Sequence, residues 1–117
     1  MTNVIDTSNP SEVRRKGKDP FGFILESDLF DGLPFGIARA QLTGDKLHHH
    51  EKMIEVYMII SGEGKIELNG KLIPIKKGSV IIIRPGVKHR IVSEQPIDFY
   101  VITSPPYDPS DEIPDKE

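Results

Sequence analysis

The chain has 117 residues, which is enough for one domain and too few for two domains of ordinary size. It has no cysteine and a formal net charge of -3, which excludes a disulfide framework and argues against a general nucleic-acid-binding surface. Because the N-terminus lacks a secretory signal pattern and no apolar stretch approaches a membrane span, we expect a cytoplasmic protein with no membrane partner.

The first 20 residues predict an N-terminal arm with little regular structure. They are polar, contain Pro10 and Pro20, and carry a short basic run over residues 14–18. We interpret this run as solvated surface, because short clusters of charge are usually solvated.

Residues 21–103 show the pattern of an all-β domain. Short apolar segments alternate with turn-forming pairs such as Asn69-Gly70, a pair typical of a two-residue hairpin, and no long segment keeps a helical period. The predicted strands are Phe23–Leu29, Phe35–Leu42, Leu47–His50, Ile54–Ile60, Lys65–Leu68, Lys71–Ile75, Ser79–Ile83, Val87–Val92 and Ile97–Ile102. Many short, closely spaced strands predict a barrel or a sandwich.

Several predicted strands are apolar on both faces. Apolar residues occupy both sets of alternating positions in Ile54–Ile60, and residues 80–83 are apolar without a break. Since water can cover one face of a barrel strand, two apolar faces indicate that something covers the outside. We expect a homodimer packed sheet to sheet; the alternative is that the chain's own arm covers this face.

Residues 104–117 predict a proline-rich, acidic tail. Four prolines follow the last predicted strand, and proline cannot join a central strand ladder, so the barrel is expected to end near Ser104. The tail is either free or folds over the barrel mouth as a lid through Tyr107 and Asp108. We expect a free tail.

Three of the four histidines are consecutive, at His48, His49 and His50. On a strand, residues i and i+2 point to one face, so His48 and His50 project together while His49 points away. Their separation along a strand is about 6.6 Å, which lets both rings reach one ion. We therefore predict that His48 and His50 are metal ligands.

A carboxylate and the fourth histidine complete this candidate site. Glu55 lies between apolar neighbours on a predicted strand, where a carboxylate is costly unless it is paired or binds a metal. His89 follows the Pro85-Gly86 turn, at the start of another strand. Three imidazoles and one carboxylate suit one divalent transition metal (Fe, Mn, Zn, Ni or Cu), and a six-coordinate ion would keep two open positions.

In this arrangement the sequence resembles the cupin superfamily. The first cupin motif is G-x5-H-x-H-x3-4-E-x6-G. His48, His50, Glu55 and Gly62 match it, whereas the leading glycine, Gly44, stands nearer to His48 than the motif requires. That glycine belongs to a turn, so the departure affects the loop and not the ligands.

The second cupin motif is G-x5-P-x-G-x2-H-x3-N. Gly78, Gly86 and His89 match it, Arg84 stands at the proline position, and Ser93 stands at the asparagine position. The resemblance implies a double-stranded β-helix, or jelly roll, of two facing sheets, commonly dimeric. It also implies that the two histidines of the first motif, Glu55 and His89 hold the metal inside the barrel, as in small single-domain cupins.

Four further residues are candidates for catalysis or substrate binding. Tyr57 shares the predicted inward face of Glu55 and is the candidate catalytic residue, with core packing as its alternative role. Arg39 and Gln41 share one face of the strand before the histidines, and Arg84 precedes His89. An inward-pointing arginine would pair with a substrate carboxylate, so we predict that Arg39, Gln41 and Arg84 bind substrate.

These residues predict a metal-dependent protein that acts on a small polar molecule, by dioxygenase-type or by isomerase- or lyase-type chemistry. The alternative is a non-catalytic module that binds or senses a small molecule in a metal-loaded barrel. A third possibility is a metal that serves stability alone. Apart from the ligands, Tyr57 is the only obvious candidate for a general base in the sequence. The scarcity of general bases weakens the hypothesis of an enzyme.

Overall fold

The computed structural model describes Val4, residues 6–8 and residues 32–117, together with the backbone of two short strands before residue 32. These parts contain ten strands and one short 3₁₀ helix, and no helix with the length and hydropathy of a membrane span. In chain order they are β1 Val13–Arg14, β2 Gly22–Leu25, β3 Gly36–Gly44, β4 His48–His49, β5 Ile54–Ser61, β6 Glu63–Leu68, β7 Lys71–Lys76, β8 Val80–Ile83, β9 His89–Ser104, the 3₁₀ helix Pro109–Asp111 and β10 Ile113–Pro114.

The strands form two antiparallel sheets that share β9. One sheet runs β1-β2-β3-β9-β5-β8, and the other runs β7-β6-β9-β4-β10. The first residues of β9, from His89 to Val92, pair with β4 and β6, whereas the residues from Ile97 onward pair with β3 and β5. This architecture confirms the predicted all-β fold, a double-stranded β-helix of the jelly-roll type.

An apolar core fills the space between the two sheets. Both sheets contribute to it through alternate residues, because successive side chains of a strand point to opposite faces. Ile91, Ile97 and Phe99 of the shared strand are among the most deeply buried side chains. The cluster consists of Ala40, Leu42, Tyr57, Ile59, Ile66, Ile75, Ile81, Ile83, Ile91, Ile97 and Phe99.

The predicted hairpin at Asn69-Gly70 is confirmed. These two residues connect β6 to β7, and both have positive φ angles, 49° for Asn69 and 84° for Gly70. Positive φ at both central positions is the signature of the type I′ turn, whose twist matches that of the flanking strands.

The predicted strands Val87–Val92 and Ile97–Ile102 are one continuous strand, so the predicted break between them is wrong. The sequence suggests a break because Ser93–Pro96 is polar and contains a proline. These residues lie where β9 leaves one sheet and enters the other, and Pro96 is exposed. A proline is tolerated at such an exposed position because no central ladder needs its missing N–H.

The N-terminal arm is described only in part. β1 and β2 pair in antiparallel fashion, so this part has more regular structure than the sequence predicted. The basic run over residues 15–18 and residues 26–29 of the first predicted strand lie outside the described residues. Thr7 reaches the barrel, where its hydroxyl lies 2.7 Å from the hydroxyl of Tyr100.

The tail after β9 is not free, which corrects the prediction. Asp108 caps the 3₁₀ helix by accepting a hydrogen bond from the Ser110 N–H, and β10 pairs with β4. In this pairing Ile113 lies opposite His49 and Pro114 lies opposite His48. Since β4 would otherwise have one unpaired edge, the tail completes its hydrogen bonding, and proline is acceptable in this outermost strand.

The outer face of the first sheet is apolar at its β5–β8 end. Ile54 and Met58 of β5 and Val80 and Ile82 of β8 are between 42% and 59% exposed. Met58 lies opposite Val80, so these side chains form one continuous surface. We call Ile54, Met58, Val80 and Ile82 the outer apolar face.

Candidate metal centre

Three strands bring the predicted metal ligands together. His48 opens β4, His50 follows directly after it, Glu55 is the second residue of β5, and His89 opens β9. His48 and His89 are directly paired across β4 and β9, which places their ring centroids 4.3 Å apart. The His50 ring centroid lies 5.1 Å from that of His48 and 5.2 Å from that of His89.

These four side chains form a group that could hold a metal ion. Each contributes one nitrogen or oxygen, and the four atoms all lie within 4.8 Å of one another. The side chains of His50, Glu55 and His89 are buried, whereas that of His48 is 18% exposed and reaches the surface. The structure therefore brings together all four residues of the predicted ligand set.

The three histidines are oriented in the same way by backbone carbonyls. The Nδ1 atoms of His48, His50 and His89 lie 2.7, 2.8 and 2.8 Å from the carbonyl oxygens of Lys46, Asp111 and Val87. Because a carbonyl oxygen can only accept, each Nδ1 carries the proton and donates. This arrangement leaves Nε2 as the coordinating atom of each ring, as is usual when histidine binds a metal.

Glu55 is held as a carboxylate by the histidines. One of its oxygens lies 2.7 Å from His50 Nε2 and 3.2 Å from His89 Nε2. Burial alone would raise the pKa of Glu55, but the close contacts and charges of the two histidines outweigh it and bring the pKa to about 2. Burial would conversely lower the pKa of His50, but the hydrogen bond and charge of Glu55 raise it overall.

The residues present fit a metal ion. His89 Nε2 is buried and makes no hydrogen bond of acceptable geometry within the described chain, although Glu55 is near it. An unsatisfied buried nitrogen is costly, and coordination to a cation shared with the two other imidazoles and Glu55 would satisfy it. The donor set of three nitrogens and one oxygen suits a divalent transition metal.

Tyr57 lies inside the barrel, on the face predicted for it. It is 5% exposed, and its ring centroid lies 4.8 Å from that of Phe99 and 6.3 Å from that of His89. Its side chain thus packs in the core and also faces the metal ligands. A catalytic role for Tyr57 stays a prediction.

Arg39 lies on the outer face of its strand, so the inward orientation expected for it is wrong. Gly36, Ala40 and Leu42 are the buried residues of β3, and Arg39 alternates with them. Its guanidinium donates to both carboxylate oxygens of Asp98, at 3.0 and 2.6 Å, and lies 5.7 Å from the Tyr100 ring centroid. Arg39 is therefore held by Asp98 on the outer surface of the barrel.

Gln41 and Arg84 are not buried with the ligands either. Gln41 shares the outward face of β3 and is exposed, which contradicts the orientation that a substrate contact in the barrel would need. Arg84 is an exposed residue of the loop that joins β8 to β9. Its part in substrate binding stays a prediction. The same loop does support the metal site, because Gly86 N–H donates to the His50 carbonyl at 2.7 Å.

Two acidic residues beside the ligands were not predicted from the sequence. Asp111, in the tail, is buried against the turn that follows His50. Asp45 accepts a hydrogen bond of 2.6 Å from the Ile91 N–H, and its second oxygen lies 3.9 Å from His48 Nδ1; burial raises the pKa of Asp45. Asp45 lies in a loop and Asp111 in a three-residue 3₁₀ helix, and neither segment is long enough for periodicity to carry a signal. The only local hint is the Asp108-Pro109 pair, typical of a helix start.

Comparison with known families agrees with this architecture. The cupin-domain family model matches residues 40–103, which is more than half of the chain and includes all four candidate ligands. The chain belongs to the cupin family. The resemblance inferred from the two sequence motifs is thereby confirmed.

Individual relatives extend this result. The chain is 47% identical over 79 residues to an oxalate-binding protein of Thermotoga maritima, and the match covers 65% of each chain. The structure resembles that of a protein from Planctomyces limnophilus, with a TM-score of 0.75, 30% identity and coverage of 97% of this chain and 96% of that one. It also resembles a predicted oxalate decarboxylase of Thermotoga maritima, with a TM-score of 0.64, 30% identity and coverage of 71% and 77%.

Proposed function

We propose that this cupin binds a small polar molecule, of the short carboxylic acid class, at a metal ion held by His48, His50, Glu55 and His89, and acts on it chemically. The supporting observation is that every candidate histidine donates its Nδ1 proton to a backbone carbonyl. Rings held in this way present three Nε2 atoms to one point beside the Glu55 carboxylate, so little reorganisation is needed to bind an ion.

The charge of the site favours an anionic ligand. Glu55 contributes one negative charge, and the neutral imidazoles contribute none, so a divalent ion would leave a net positive charge in a buried place. Such a charge attracts a carboxylate more strongly than a neutral sugar or amine. The 47% identical Thermotoga maritima relative is an oxalate-binding protein, which makes oxalate the first compound to test.

A divalent transition metal in this site would supply a Lewis acid, and iron would add redox chemistry with dioxygen. The chain's own residues would orient and shield the bound molecule. Tyr57 is an inward-facing residue whose ring centroid lies 6.3 Å from that of His89, and we assign to its hydroxyl a hydrogen bond to the bound acid.

The test is the metal content and oxalate affinity of the purified protein beside Glu55→Gln. We expect about one equivalent of metal in the parent, which then binds oxalate, and loss of both in Glu55→Gln. The matched control is Glu94→Gln, because Glu94 is an exposed carboxylate that no metal ligand contacts. If the parent took up no ion after reloading with each of the five candidate metals, the proposal would be wrong.

A non-catalytic binding module is the second candidate function. Among the described residues the buried polar side chains are His50, Glu55, His89, Thr103 and Asp111. Asp111 is occupied by backbone N–H groups, so it is not available as a general base. A phenol such as that of Tyr57, with an ordinary pKa of about 10, is a poor base at neutral pH.

The two candidates differ in what happens to the bound acid. Metal-loaded protein would be incubated with oxalate and related short acids, and products would be followed by mass spectrometry. An enzyme converts the acid in many turnovers and loses this activity with its metal. Tight binding with full recovery of the unchanged acid would instead support the binding module.

A further inference from the structure

The tail forms a strap along the strand that carries the histidines. We call Asp108–Glu117 the C-terminal strap. Beyond the β10–β4 pairing, Asp115 donates its N–H to the Leu47 carbonyl at 3.0 Å, and its carboxylate lies 2.8 Å from His49 Nδ1. Glu117 accepts a hydrogen bond from the Leu47 N–H at 3.3 Å and lies 3.2 Å from Arg90. The strap is thus attached along the whole length of β4.

One residue of the strap is buried against the turn between two metal ligands. Asp111 as a whole residue is 6% exposed. One oxygen accepts from the Glu51 N–H at 2.9 Å, and the other accepts from the Lys52 and Met53 N–H groups at 3.0 and 2.9 Å. The turn over residues 51–53 connects His50 to the strand of Glu55, so this carboxylate holds the segment that joins the two ligands.

The same residue also touches a ligand directly. The Asp111 carbonyl oxygen accepts the Nδ1 proton of His50 at 2.8 Å. Asp111 therefore fixes the His50 ring from behind and, through the turn, the path of the chain to Glu55. The carbonyls that orient His48 and His89 belong to residues two positions away in sequence, whereas the one that orients His50 is supplied from 61 residues away.

We propose that Asp111 is a positioning residue of the metal centre, and that docking of the C-terminal strap and metal binding favour each other. This inference rests on the proposed metal function and extends it to a part of the chain outside both cupin motifs. Groups that orient metal ligands typically change metal affinity 10- to 100-fold when they are replaced. We expect a loss of metal affinity of that size when Asp111 is replaced.

The test is titration of the full chain with Co²⁺, followed by its visible absorption spectrum and by competition with a chelator. Asp111→Asn should weaken Co²⁺ binding roughly 10- to 100-fold and, at saturating Co²⁺, shift the absorption bands, because the geometry of the ligands has changed. A merely structural role would lower the melting temperature without moving the spectrum. Asp98→Asn is the matched control, since the Asp98 carboxylate is paired with Arg39 on the outer face and is not part of the strap.

The outcomes separate the inference from the proposed function. If the parent chain bound no Co²⁺, the metal function and the inference would both be wrong. If the parent bound Co²⁺ and Asp111→Asn kept its affinity and spectrum, or lost no more affinity than Asp98→Asn, only the inference would be overturned.

A second measurement needs no variant and covers the case in which Asp111→Asn does not fold. Coupling between two sites is reciprocal, so metal binding must slow opening of the strap if the strap favours metal binding. Hydrogen exchange of the Glu51, Lys52 and Met53 amides should slow on addition of Co²⁺ more than exchange in the β6–β7 hairpin. Equal slowing in the two regions would contradict the inference.

Discussion

Glu55 has a pKa of about 2 although it is buried, because His50 and His89 hold its charge. A lowered pKa in the folded state adds stability above the ordinary value of 4.5, and this stability is lost as the pH falls toward 2. The raised pKa of His50 acts in the opposite direction, since its contribution is present at low pH and is lost as the pH rises through the folded-state value. The metal-free pair is therefore most stable between the two transitions.

Acid should accordingly destabilise the metal-free protein. Between pH 5 and pH 2.5, we expect the Glu55 contribution to the free energy of unfolding to fall by roughly 2 kcal/mol, which is most of the roughly 3 kcal/mol equivalent to its pKa shift. Urea denaturation at several pH values measures this slope. Glu55→Gln should flatten it, leaving a smaller slope from Asp111, whose pKa the N–H groups of residues 51–53 lower against the effect of burial. An unchanged slope in Glu55→Gln would contradict this account.

Single residues also show where sequence patterns stop being informative. The side-chain chemistry of His48, His50, Glu55 and His89 predicted the ligand set, because buried histidine and glutamate are unusual on apolar strands. Arg39 could not be placed in this way, because Phe35 and Ile37 share its face of the predicted strand Phe35–Leu42 and apolar residues also occupy the other face. Its partner Asp98 lies 59 positions away, and only the pairing of β3 with β9 brings the two together.

At the scale of elements, the turn between β5 and β6 depends on a glycine of the first motif. Gly62 has a φ of 93°, and a Cβ added there would lie 2.7 Å from the Pro96 carbonyl oxygen. Gly62→Ala should therefore destabilise the protein by about 2 kcal/mol or more, through backbone strain and displacement of β9. Urea denaturation of the variant measures this loss.

Gly70 provides the matched control for Gly62. Its φ is 84°, but nothing lies within 4 Å of an added Cβ. Gly70→Ala should cost only the backbone strain, about 1 kcal/mol. Equal losses of stability in the two variants would show that close contact with Pro96 is not the reason why position 62 requires glycine.

Elements with local signals were predicted well, and elements that depend on distant partners were not. The Asn69-Gly70 turn and the strands beside it follow from nearby residues. The tail was expected to be free because prolines and acidic residues are usually exposed to solvent. Asp111 is nevertheless buried against backbone N–H groups of a distant turn, and no local sequence pattern predicts that contact. The continuity of β9 through Pro96 was missed for the same reason, since only its position between the sheets makes it possible.

At the scale of the whole molecule, the outer apolar face supports the proposal of a homodimer. Val80 and Ile82 of β8 are more than half exposed, and among the described strands β8 pairs only with β5. The arm borders this surface on the same face of the sheet, because Thr7 contacts Tyr100, the β9 residue opposite Met58. A contiguous apolar surface of this kind is typical of an interface between copies. We propose that two chains pack through it.

Sedimentation velocity at micromolar concentration tests this proposal. The parent should sediment as a dimer, and Ile82→Glu should shift it to a monomer with metal content retained, because the added charge would be buried in the interface. Leu72→Glu is the control, since Leu72 is 52% exposed on β7 of the other sheet. A parent that sediments as a monomer would contradict the dimer.

Because both sheets share β9, the chain cannot complete its fold until late in its synthesis. β9 pairs with β3, β4, β5 and β6, so neither sheet can close before its residues, 89–104, have left the ribosome. Until then β5 and β8 form at most an isolated pair of apolar strands, a species prone to association. Folding is therefore expected to be late, cooperative and slow, as is usual when most pairings join distant parts of a chain. A ribosome stalled before residue 89 should carry a protease-sensitive nascent chain, and one stalled well beyond the tail should carry a resistant domain.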